Sequence, residues 1–213
     1  MLTVWEAMQK RRSIRKFGSG DVSDEVIEQM LQAARLAPSG GNRQPWRFLV
    51  IRDEETRKEL CRIKGQATVG EAPVIIVCLG DLDRYTAEAE KQRRQTEPLE
   101  VGAGRAISEF SANPEDAIRS QHFSTLSQGQ VLTHMTGNSY NAVNYMLLMA
   151  TALGVGACWI GTSSFVDELS HFLGYPPNLV PVAMVLVGYP AEDYSIPERK
   201  RLSLDELMLK PLS

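Results

Sequence analysis

The sequence predicts an α+β fold in which helices pack on one central sheet. Three observations lead there. Apolar runs of strand length occur at Trp46–Ile51, Val74–Leu79 and Val182–Val187. Segments with helical periodicity and capping residues lie between them. The 213 residues are 43% apolar and 23% charged, enough for the core of one sizeable domain spanning 1–213.

The elements follow in order. Thr3 with Glu6 has the form of a capping box, so a short helix is expected over about residues 4–11. Ser23 can cap a second helix, with Val26, Ile27, Met30, Leu31 and Ala34 on one face. Pro38 ends it by pushing the preceding residue out of the α region. Trp46–Ile51 is a strand, Asp53–Ile63 a helix, and Val74–Leu79 a strand buried on both faces. Between 81 and 137 the pattern weakens. Residues 83–97 are charged and read as helical, and 111–137 are rich in Ser, Thr, Gln and Gly. The whole stretch is too long for a simple connection and reads as a variable lid or insertion. Asn138 looks like the N-cap of an apolar helix that Gly154 ends. A short apolar run at Val155–Gly161, a helix at Ser164–Leu173 and the last strand complete the chain.

Composition narrows the function. The formal charge of −3 argues against general nucleic-acid binding. Cys61, Cys78 and Cys158 are widely spaced, and with His122, His134 and His171 they show no metal-ligand spacing. No metal site is expected. No run approaches the length of a membrane span, and Met1 leads into an amphipathic pattern without a signal sequence. The expectation is a cytoplasmic protein without membrane partners.

Four motifs could carry chemistry. In Arg11-Arg12-Ser13-Ile14-Arg15-Lys16-Phe17, an extended chain puts Arg11, Ser13 and Arg15 on one side, and a helix makes Arg11 and Arg15 neighbours. Either way two guanidinium forks and a hydroxyl can converge on one anion. Taken alone, the run reads more readily as a solvated basic patch. Pro38-Ser39-Gly40-Gly41-Asn42-Arg43-Gln44-Pro45 joins φ-fixing prolines, a flexible glycine pair and polar side chains. It suits the rim of a planar heterocycle, and equally an ordinary helix-to-strand turn. In Leu153-Gly154-Val155-Gly156-Ala157-Cys158-Trp159-Ile160-Gly161 the Gly-x-Gly follows a helix, so it is not a dinucleotide fingerprint and reads first as packing. Arg199-Lys200-Arg201 could complete a phosphate clamp, or be a solvated tail patch.

Together and in this order, these motifs resemble the nitroreductase family of FMN-dependent oxidoreductases, over 8–52, 138–162 and 182–205, without correspondence at 81–137. The resemblance implies a nitroreductase-like fold, a mainly antiparallel sheet flanked by helices, in an intertwined homodimer with FMN at the subunit interface. By position it implies that Arg11, Arg12, Ser13 and Arg15 bind the FMN phosphate and ribityl chain, with Arg199 and Arg201 at the same phosphate. It implies that Pro38, Ser39, Gly40 and Asn42 of the other subunit edge the flavin, Gln44 belonging to the same motif. Ile160 and Gly161 match the segment whose backbone faces the ring near N5. Asn138 stands where many family members have an acidic residue.

The implied activity is hydride transfer from NADH or NADPH to a nitroaromatic, quinone or enone by a ping-pong mechanism, with flavin N5 carrying the hydride and no catalytic side chain. Specialised chemistry on the same fold (reductive dehalogenation or flavin cleavage) is one rival. A non-catalytic flavin-binding module and a nucleic-acid binder using residues 10–16 are two more.

Overall fold

The computed structural model describes residues 2–86, 89, 127–162, 164–196 and 198–209. Among them four strands form one sheet: β1 (Trp46–Ile51), β2 (Val74–Asp81), β3 (Gly156–Gly161) and β4 (Leu179–Gly188). Their order is β1-β2-β4-β3, and every pairing is antiparallel. The helices are α1 (Val4–Lys10), α2 (Asp24–Arg35), α3 (Glu54–Lys64), α4 (Ala67–Glu71), α5 (Gln128–Ala152), α6 (Val166–Leu173) and α7 (Leu204–Leu207).

Strand alternation builds a core on each face. Val74, Ile76 and Cys78 join Ala183, Val185, Val187 and Ala157 under α2 and α5. Ile75, Val77 and Leu79 join Met184, Leu186, Cys158 and Ile160 with Leu60, Val69 and Leu169 of α3, α4 and α6. Every residue of β2 is buried, as expected for a strand covered on both sides. Pro181 in β4 has no N–H to give the ladder, and the β2–β4 register shifts opposite it, between Cys78 and Leu79.

The expected caps are in place. The Thr3–Glu6 box closes on itself, Ser23 accepts from the Val26 amide, and Asp53 accepts from the Thr56 amide. Each such cap contributes about 1 kcal/mol. Gly154, with φ +75°, follows the end of α5.

The largest correction concerns that helix. Asn138 does not cap it; α5 starts ten residues earlier, at Gln128, behind a Ser127–Gln130 capping box. Gly129, Thr133 and Gly137 are poor helix formers. Burial outweighs them, because Met135, Ser139, Ala142, Val143 and Met146 line one face against α2 and the sheet. The helix expected over 83–97 lies mostly outside the described residues; its start is a 3₁₀ turn at Leu82–Tyr85. Among the described residues no helix is long and apolar enough to cross a membrane.

Candidate functional site

After α1 the basic heptad is extended along the edge of the sheet. The Ile14 amide donates to the Ala157 carbonyl at 3.0 Å, and bridges form between Ser13 and Ala157 and between Phe17 and Pro190. Two glycines explain why the segment sits there. Gly156 of β3 and Gly188 of β4 are register partners. A Cβ on Gly156 would lie 2.9 Å from both Ile14 and the Gly188 carbonyl, and one on Gly188 would lie 2.7 Å from Phe17 and from Pro73. The glycine pair therefore opens a notch that admits the two apolar residues of the heptad. With Ile14 buried, alternation turns Ser13 and Arg15 the other way.

The polar side gathers around Cys158. Burial pushes this thiol up from its ordinary value, while Arg15, the Ser13 hydroxyl and Arg11 oppose that shift. The half-buried Arg11 guanidinium is held below its usual value, first by desolvation and then by the positive charges of Arg201 and Arg12. Arg11, Ser13 and Arg15 thus face Cys158, and Arg201 comes near enough to Arg11 for their charges to repel, although it is 190 positions away in the chain. Like charges drawn together in a partly desolvated site are relieved by an anion. Arg12 is turned partly to the helix end: its Nη1 donates to the Gln9 and Arg11 carbonyls at 2.7 and 2.9 Å. Arg199 is exposed in the irregular segment before Arg201.

Further along β3, Ile160 and Gly161 are not equivalent. The Ala157 carbonyl points away from β4, to meet Ile14. Residues of the same parity, Trp159 and Gly161, aim their backbone groups the same way, whereas Ile160 bonds to β4. Ile160 is buried in the core; Gly161 is exposed, with open space where a Cβ would stand.

The 38–45 loop is held by different elements, the middle of α5 and the end of β2 with the turn that follows it. Gly40–Asn42 forms a 3₁₀ turn in which Gly41 has φ +58°, and Asn42 and Gln44 have φ +50° and +48°. Ser39 Oγ accepts from the Gln44 amide at 2.9 Å, and Arg43 Nη1 donates to the Gly40 carbonyl at 2.9 Å. Asn138 Oδ1 accepts from the Gly40 amide at 3.0 Å, and Asn141 Nδ2 donates to the Pro38 carbonyl at 3.2 Å. Arg43 is buried, with its guanidinium 5.3 Å from the Tyr85 ring centre. Pro38, Gly40 and Asn42 remain exposed. One chain thus presents two constellations, a basic one at β3 and a polar loop at α5.

Apart from Arg199 and Arg201, both constellations fall inside a family match: the model of the nitroreductase family matches residues 8–64 and 127–189. The chain belongs to the nitroreductase family. Its relatives agree. A protein of Thermus thermophilus named NADH dehydrogenase is 34% identical over 98% of this chain and 96% of its own. Iodotyrosine deiodinase 1 of Mus musculus is 26% identical, over 96% of this chain and 68% of that protein. The crystal structure of a nitroreductase-like protein from Exiguobacterium sibiricum, solved in complex with FMN, has a TM-score of 0.76 at 26% identity, covering 99% and 98% of the two chains.

Within this nitroreductase-family chain, three features of the site escaped the sequence reading. Cys158 carries no signal of its own in the sequence, and its place beside the arginines follows from the pairing of residues 13–14 with β3. Asn138 and Asn141 could have been found as an i, i+3 amide pair on one helix face, had the helix been started early enough. Tyr85 carried no signal. A separate cleft of about 390 Å³, lined by Asp21, Ser23, Asp24, Arg52, Arg57 and other residues, is a structural junction. Its arginines are engaged, Arg52 with the Val22 carbonyl and Asp24, Arg57 with the Arg52 and Ala72 carbonyls. Among the described residues no cluster suited to a metal ion occurs.

Proposed function

We propose that this chain is an FMN-dependent oxidoreductase that moves reducing equivalents from NADH or NADPH to an organic acceptor, working as a single-domain subunit of a homodimer. The observation that carries the reading is the pairing of residues 13–14 along the β3 edge with Ile14 buried, which turns Ser13 and Arg15 outward together, with the charges of Arg11 and Arg201 nearby. Guanidinium forks beside a hydroxyl are the donor set that a phosphate monoester calls for, so the residues fit the FMN phosphate. Arg12 and Arg199 would add to the same charge, Arg12 while also closing α1.

When bound, FMN supplies the redox chemistry, accepting hydride from the nicotinamide and passing it on. The side chains bind, orient and tune. Gly161 would offer its outward amide to the ring edge, since no side chain shields it, with Ile160 fixing the strand behind. Pro38, Ser39, Gly40, Asn42 and Gln44 would rim the ring of the partner's cofactor, and a dimer would join the two constellations that one chain keeps apart. Donor and acceptor then take the same place in turn, giving ping-pong kinetics. Nitroaromatics, quinones and enones are the acceptor class. No side-chain nucleophile or acid–base pair is required.

The test is spectral. Protein incubated with FMN and desalted is expected to be yellow, and to bleach under anaerobic NADH or NADPH. A colourless protein after incubation overturns the reading, and a yellow one that neither nucleotide bleaches reduces it to a binding module. A second reading, reductive dehalogenation, is favoured by the deiodinase relatives. Turnover of halophenols in preference to nitroarenes would decide for it.

A further inference from the structure

The turn at 38–44 is strained, and its internal hydrogen bonds are not its only support. Asn42 and Gln44 both sit in the left-handed region, where a side chain costs on the order of 1 kcal/mol per residue. Their conformations persist only if neighbours fix the loop. Two amides on consecutive turns of α5 do so. Asn141 donates to the Pro38 carbonyl, and Asn138 accepts from the Gly40 amide. The second end of the Asn138 amide is also engaged: Nδ2 donates to the Tyr85 hydroxyl at 2.9 Å. That tyrosine lies under Arg43 of the same loop, and Arg84 Nε donates to the Arg43 carbonyl at 2.8 Å. Asn138 is therefore the joint at which the loop, α5 and the turn after β2 meet. A carboxamide is suited to the joint because it accepts and donates at once.

We propose that Asn138 is a positioning residue of the flavin site, setting the 38–44 loop through Gly40 while Tyr85 fixes the amide's orientation. The proposal rests on the reading that this loop rims the flavin, and adds that its shape is imposed from α5. Asn138→Leu removes both bonds. Asn138→Asp keeps the acceptor for Gly40, and the Tyr85 hydroxyl can reverse and donate to the carboxylate.

The experiment measures FMN dissociation constants on flavin-free protein by quenching of flavin fluorescence, with Tm recorded for every variant. Asn138→Leu is expected to weaken FMN by about 10-fold, from the joint loss of the hydrogen bonds to the Gly40 amide and to the Tyr85 hydroxyl, with a small change in Tm. Asn138→Asp is expected to stay within about 3-fold of the wild type. Tyr85→Phe alone should have a small effect, and a larger one when combined with Asn138→Asp, where the hydroxyl is the donor. Asn141→Ala should weaken FMN independently of folding at position 138, keeping the test open if Asn138→Leu does not fold. Unchanged affinity in Asn138→Leu, or Asn138→Asp as weak as Asn138→Leu, overturns the proposal. So does unchanged affinity in Asn141→Ala if the leucine variant is lost. Wild-type protein that takes up no FMN overturns the functional reading instead, and this proposal with it.

Discussion

At Cys158 a thiol, a hydroxyl and two guanidinium groups meet, and the balance among them depends on side chains rather than on the fold. Replacing Arg11 and Arg15 together with alanine should therefore release FMN while Tm changes by no more than a few degrees, because neither guanidinium contributes to the buried core. Retention of flavin with wild-type affinity would show that the cluster serves something else. Gly161→Val supplies the converse test. The chain has room for the new side chain, and valine suits a strand, so stability should be unchanged or slightly higher. FMN affinity should fall at least about 10-fold if the ring edge lies there. The arginines were legible in the sequence because their chemistry is local. Cys158 was not, because its partners arrive from another segment.

Among the elements, legibility followed the strength of local signals. Thr3, Ser23 and Asp53 announced their helices because each cap is written within four residues of chain. Ser127 and Gln130 form the same box, but Gly129, Thr133 and Gly137 hid the first turns of α5, and Asn138 offered a plausible false start. Tertiary burial decided that case, and it has no short-range signature. Pairing of residues 13–14 with β3 was equally invisible, since it depends on the gap at Gly156. Gly156→Ala tests that pairing. Its Cβ would meet backbone at 2.9 Å, so the expected result is a loss on the order of 1–3 kcal/mol in denaturant unfolding together with weaker FMN binding. A stable, fully binding variant would separate the heptad's position from the notch.

For the whole molecule, the strands themselves and the two-sided burial of β2 were implied by apolar patterning, whereas the order β1-β2-β4-β3 needed long-range pairing that one sequence does not display. Titration also acts at this scale. The capping carboxylates Glu6, Asp53 and Glu206 are held below their ordinary values by hydrogen bonds to Thr3, Thr56 and Ser203. Groups lowered in the folded state add stability above their unfolded values, and that stability fades as pH falls through the folded ones. Burial pushes Cys78 up to about 12 from 9.0. A raised thiol acts oppositely: its contribution is complete below pH 9.0 and is lost as pH climbs toward about 12. Urea midpoints should hence be level between about pH 5 and 9 and decline on either side. Cys78→Ala should lower the plateau yet soften the alkaline decline, and an unaltered alkaline slope would assign it to other groups.

The facing glycines at 156 and 188 also bear on how such a protein can change. Because the missing side chains decide where residues 14 and 17 lodge, the site's location is inherited with the sheet, while its preference for one anion is carried by neighbours that point outward. Random variation confined to positions 11, 13 and 15 can therefore retune the ligand on an intact scaffold. Variation at either glycine strikes the foundation first, and selection for new chemistry would have to begin elsewhere.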